Sequence, residues 1–159
     1  MDNKKTNKKS NAKNSIHSQS QVKYSSFREQ LFNQTFERVK YSVDFEGFEE
    51  SERDSAEELC LIIAEIFNLP PDTPIRIGGN DIPVEIVQVV YSRLAHEHIE
   101  LVMSNFGRAT YEIRHKKTYL RTALYNSVFE ISAHYENLFK KNQPQYAENS
   151  FGARKGEPK

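Results

Sequence analysis

Four basic side chains, Arg114, Lys116, Lys117 and Arg121, crowd into one short stretch, with Tyr125 one helical turn beyond the last. On a helical wheel Arg114, Lys117, Arg121 and Tyr125 lie beside an apolar stripe, and Lys116 sits on its other flank. Such a ridge can contact phosphates, with the ring free to stack on a base. The same residues also suit plain solvated edging, in which Lys and Arg stems cover the rim of a core.

Other chemistry-bearing residues point to less. His96 and His98 flank Glu97, but residues two apart on a helix point about 200° from each other. The zinc-binding HExxH spacing places its His pair on one face, and it is not met here. A solvent-facing or helix-capping role is expected for both, and no metal site. Gly78-Gly79 could cradle a phosphate, yet no Lys-Ser/Thr follows and the pair is not GxGxxG, so a turn is the expectation. The single cysteine, Cys60, allows no intrachain disulfide and no cysteine-based zinc site. It falls in an apolar helix and reads as a small core residue. No Ser/His/Asp, Cys/His or paired-carboxylate set stands out, so neither catalysis nor a cofactor is expected.

These side chains need a scaffold, and the pattern predicts a helical one. From His115 to Lys141 there is neither Gly nor Pro, and Leu120, Leu124, Ser127, Val128, Ile131, Tyr135 and Leu138 recur at helical spacing. The rest of the body should pack against that long helix. Upstream, Phe27, Leu31, Phe32, Phe36 and Val39 predict a helix over 26–41, with Ser26 and Glu29 as a capping box. Val43 to Phe48 alternates apolar and acidic residues and reads as an extended connector with plugging aromatics. A helix over 51–68 is capped by Ser55 and Glu58, or earlier by Ser51 and Asp54, and ends at Leu69-Pro70-Pro71. Ile75 to Pro83 reads as a β-hairpin or hook, followed by a helix that buries Val84, Val87, Val90, Tyr91 and Leu94. Ile99, Val102, Met103 and Phe106 predict another helix over 96–106, stopped by Gly107. Ile113 should anchor the connector 108–114.

The expected architecture is a mainly α bundle of about four to five helices with one short β-hairpin and disordered tails. Residues 1–23 form a basic disordered tail, 24–50 an amphipathic helix and connector, 51–142 the helical domain, and 143–159 a second disordered tail. Net charge is zero but unevenly spread. Residues 1–23 hold six Lys and one Asp, 24–68 four basic and eleven acidic residues, and 107–143 seven basic and three acidic. That succession fits internal compensation, or basic pieces that meet nucleic acid. No stretch has the length for a bilayer span and no apolar h-region follows the charged start, so a cytoplasmic location is expected.

The order of several pieces resembles a known family. These are Ile75 to Pro83 with Val84-Glu85-Ile86-Val87, then Leu94, His98-Ile99-Glu100, Val102 and Met103, then Ile113-Arg114 and Lys117 to Asn126. Val43 to Glu46 with Phe48 resembles the lead-in segment. The stretch Val43 to Tyr135 thus resembles the C-terminal domain, itself of unknown function, of replication initiator A proteins of Gram-positive plasmids and mobile elements. That domain is similar to the C-terminal domain of DnaD-type primosome proteins. The resemblance implies a non-catalytic adaptor in plasmid DNA replication that binds a host replication protein, either primase or the helicase loader. Tyr125 and Asn126 are then candidate partner-binding residues, although Asn126 also suits a structural hydrogen bond to the neighbouring connector. Direct DNA binding through Arg114, Lys116, Lys117 and Arg121 is the alternative, as is an accessory fragment without activity. The residues of the family's winged helix are not matched, so origin recognition does not carry over. Ser127-Val128-Phe129-Glu130-Ile131 stands where the family often has Ala-Pro, and without Trp the DnaD-type aromatic tail motif is unmatched. Whether 26–41 packs within the chain or across a homo-oligomer is left open.

Overall fold

The computed structural model describes residues 9–142, with side chains from residue 21 onward. Its elements run α1 (Lys9–Ser42), a short 3-10 turn (Phe45–Gly47), α2 (Arg53–Phe67), β1 (Pro74–Ile77), β2 (Asn80–Pro83), α3 (Val84–Tyr91), α4 (His96–Gly107) and α5 (Lys116–Asn142). The described chain is therefore mainly helical, with five helices and one antiparallel hairpin. No described helix is long and apolar enough to cross a membrane.

The helix at the centre is α2, rather than α5. Ala56, Leu59, Cys60, Ile62, Ile63, Ala64 and Ile66 of α2 are all buried, against Leu120, Leu124, Ser127 and Val128 of α5. Apolar residues at those α2 positions cover more than one face, so α2 packs against α1, α3, α4 and α5. Cys60 is fully buried, and that burial pushes its thiol from 9.0 up to about 12. The proton is held more tightly in the folded state, so the contribution to stability is intact below pH 9 and is lost as pH rises toward 12. Alkaline titration followed by circular dichroism should show that loss, and Cys60→Ala should flatten it. An unchanged alkaline profile in the variant would mean other groups govern it.

Helix α1 begins at Lys9, well ahead of the expected start, so Ser26 and Glu29 lie inside a helix and cap nothing. Disorder was expected for residues 1–23, but 9–23 are helical; 1–8 and the tail 143–159 lie outside the described residues. Composition misleads here because propagation adds one hydrogen bond per residue once a nucleus exists. Phe32, Phe36, Val39 and Val43 supply that nucleus by docking on the body.

The connector is not extended. Asp44 takes a left-handed conformation (φ 50°) and leads into the 3-10 turn, while Val43 and Phe48 are buried on either side. The aromatic plug is therefore Phe48, with Phe45 packed at its edge. A Cβ on Gly47 would lie 2.7 Å from the Asp44 carboxylate, so a side chain there requires that carboxylate to shift. Neither expected capping box starts α2. Its N-cap is Glu52, without a side-chain cap bond. Position there is set by Arg53, whose Nε donates to the Phe48 carbonyl at 3.3 Å and whose guanidinium meets Glu50 at 3.1 Å. At the other end Asn68 Nδ2 donates to the Ala64 carbonyl at 2.7 Å.

The hairpin forms as expected. Ile77 pairs with Asn80 around Gly78 (φ 55°) and Gly79 (φ 87°), the two positive values that a two-residue type I′ turn requires. Ile75 and Ile77 face the core, and Val84, Val87, Val90, Tyr91 and Leu94 are all buried in the helix and turn that follow.

Candidate interaction surface

Helix α5 presents the ridge, and α2 lies beneath it. Lys116 Nζ meets Glu58 at 2.6 Å and sits 5.3 Å from the Phe106 ring centroid. Lys117 Nζ meets Glu65 at 2.6 Å, and Arg121 reaches the same carboxylate at 3.5 Å. Three of the four predicted phosphate contacts are thus ion-paired to α2. Arg114 is exposed and lies ahead of α5 instead of on its wheel, because the helix starts at Lys116. The sequence reading missed Glu58 and Glu65 as partners. Their spacing of seven puts both on one face of α2, which was the available signal.

The backbone around the ridge is pinned from two sides. Tyr91, at the end of α3, donates its hydroxyl to the Arg121 carbonyl at 2.9 Å. Burial pushes that hydroxyl well above the usual tyrosine range, against the pull of the Arg121 charge. From the hairpin, the Gly78 amide donates to the Thr122 hydroxyl at 3.1 Å. The glycine pair therefore serves as a turn docked on α5.

Tyr125 is half-buried and its ring lies 5.5 Å from that of Phe129, which is exposed. Asn126 is also exposed. It lines a small cleft of about 150 Å³ with Asn105, Tyr119, Thr122 and Glu130. Among the described residues its amide makes no hydrogen bond to the connector 108–114, so the structural role considered for it is not seen. Further along α5 the stripe continues past the body. Ile131 is partly covered, but Tyr135 and Leu138 are exposed, since α4 runs antiparallel to α5 and this end of α5 extends past the start of α4 at His96. Ile113 is half-buried, a partial anchor for its connector.

The two histidines position α4. His98 is buried, and its Nδ1 accepts the Ala95 amide proton at 3.0 Å, so it caps the helix. His96 stacks on Phe48 with centroids 4.0 Å apart, and its Nδ1 faces the Val43 and Asp44 carbonyls at 3.3 Å. It is not the solvent-facing group expected from the sequence. No cluster of three or more metal-ligating side chains occurs among the described residues.

A second cleft, of about 360 Å³, opens between α1, α2 and the end of α3. Arg38 and Val39 form one wall, and Ile63, Phe67, Tyr91 and Leu94 form the others. On α1 the sequence reading placed Phe27 and Leu31 in the body-facing stripe. Both are exposed, at 58% and 43%, because the helix ahead of Phe32 runs clear of the body.

Together these features define a helical domain organised around α2, with a self-paired basic ridge and aromatic side chains left on the outer parts of two long helices. The chain belongs to the family of unknown function DUF6017, whose sequence pattern matches residues 3–144. The match takes in all of α1 and α5, beyond the stretch on which the initiator resemblance rests. No curated protein and no solved structure matches the chain.

Proposed function

We propose that the chain is a non-catalytic adaptor of plasmid or mobile-element replication, which docks a host replication protein, primase or helicase loader, on the outer face of α5. The replication setting comes from the resemblance of Val43 to Tyr135 to the initiator A C-terminal domain. The observation that carries the adaptor reading is the pairing of the ridge. Lys116, Lys117 and Arg121 are already paired with Glu58 and Glu65, which leaves Tyr125, Phe129 and Asn126 as the accessible chemistry beside the ridge. Aromatic anchors of this kind dominate protein–protein binding energy when a partner buries them.

The purified full chain should retain one of host primase, replicative helicase or helicase loader in a pull-down at micromolar concentration. Tyr125→Ala with Phe129→Ala should weaken that capture roughly tenfold or more. Failure of all three proteins to bind at micromolar concentration sinks the adaptor reading.

A further inference from the structure

We propose that a second copy of this chain covers the free face of α1, with the two helices antiparallel and Phe27 of one copy against Leu31 of the other. Helix α1 carries two stripes. Phe32, Phe36, Val39 and Val43 turn toward the body, whereas Tyr24, Phe27 and Leu31 are 72%, 58% and 43% exposed. The exposed three recur at spacings of three and four, continued by Gln34 and Arg38, and this seam lies about 100° around the helix from the docked stripe. The seam runs into the cleft walled by Arg38, Phe67, Tyr91 and Leu94.

A two-fold antiparallel pairing makes this surface complementary to itself. With Phe27 opposite Leu31, Tyr24 of one copy falls opposite Gln34 of the other, next in sequence to Thr35 on the wall of that cleft. On one flank of the seam Lys23 comes within reach of Glu37 of the other copy, and symmetry repeats the contact. Glu37 is 2.9 Å from Lys40 in its own chain, but at 68% side-chain exposure it stays open to another cation. Arg28 meets its own copy across the axis, a single repulsion set against two attractions. Six large side chains, together with the flanking Lys23, Arg28, Gln34 and Glu37 stems, supply on the order of 1,000 Å², the lower end of stable interfaces, so a dimer of micromolar strength is the expectation. It also supplies what α1 lacks, because a helix without packing partners is marginal in water.

The pairing is independent of the adaptor reading and is tested by a different measurement. Sedimentation of the full chain between roughly 1 and 100 µM, where such a Kd is read, should show a monomer–dimer equilibrium. Phe27→Glu with Leu31→Glu should weaken it roughly 100-fold or more. Both side chains are exposed in the single copy, so the monomer's thermal melt should be unchanged. Lys23→Glu alone should weaken the dimer and Lys23→Glu with Glu37→Lys should restore it. A monomer throughout that range, a dimer that survives the Phe27/Leu31 changes, or a charge swap that restores nothing overturns the proposal.

Discussion

Leu124→Ala will lower the free energy of unfolding by about 2–5 kcal/mol, the range for a large-to-small change inside a packed core. Leu124 is fully buried on α5 and lies in the same core as Leu120, Val128 and the α2 isoleucines. Its neighbour on the stripe, Ser127, is also buried, but the hydroxyl donates to the Leu124 carbonyl at 2.8 Å and leaves no unsatisfied group. Removing the leucine therefore opens an apolar void with little freedom to collapse. Chemical denaturation gives the value, and a change under about 0.5 kcal/mol would instead mark Leu124 as a surface residue.

Glu58→Gln combined with Glu65→Gln will raise affinity for double-stranded DNA at low salt by roughly tenfold or more, with a steeper salt dependence. The two carboxylates hold Lys116, Lys117 and Arg121. Neutralising them frees the ridge while removing two negative charges next to it. Two added phosphate contacts would steepen the salt slope by about 1.8, at 0.9 per contact. Stability should change little, because partly exposed ion pairs contribute about 1 kcal/mol or less. Fluorescence anisotropy with a labelled duplex measures the effect. If the variant binds DNA no better than the parent chain, the carboxylates do not hold the ridge back and its cations are edging alone. Tight, salt-sensitive binding by the unmodified chain would favour direct DNA contact over the adaptor reading.

Local patterns found the hairpin and the core faces of α3 and α4. Their residues alternate or recur with one clear period, and Gly78-Gly79 and Gly107 mark the breaks. Two kinds of information were out of reach. The first is context that overrides local signals: Ser26 and Ser55 sit three residues ahead of a Glu, yet each lies inside a helix whose ends are fixed by packing elsewhere. The second is pairing across long sequence separation. Lys116 and Glu58 stand 58 residues apart, and only the packing of α5 on α2 brings them to 2.6 Å. For the same reason the ridge was readable as a set of cations but not as one partly paired to α2 carboxylates. Composition was the weakest guide, since polar residues ahead of Phe27 extend a helix that apolar residues further on have nucleated.

Helix α1 is also a ruler. Some 34 residues of α-helix span roughly 50 Å at 1.5 Å each, and only its final third is clamped to the body. Any chain joined ahead of Lys9 would be carried at a set distance and a set azimuth from the core. Each residue inserted into or removed from the free portion shifts that attachment by about 1.5 Å and turns it by about 100°. The free portion therefore holds a phase as well as a length, and changes of three or four residues preserve that phase far better than changes of two.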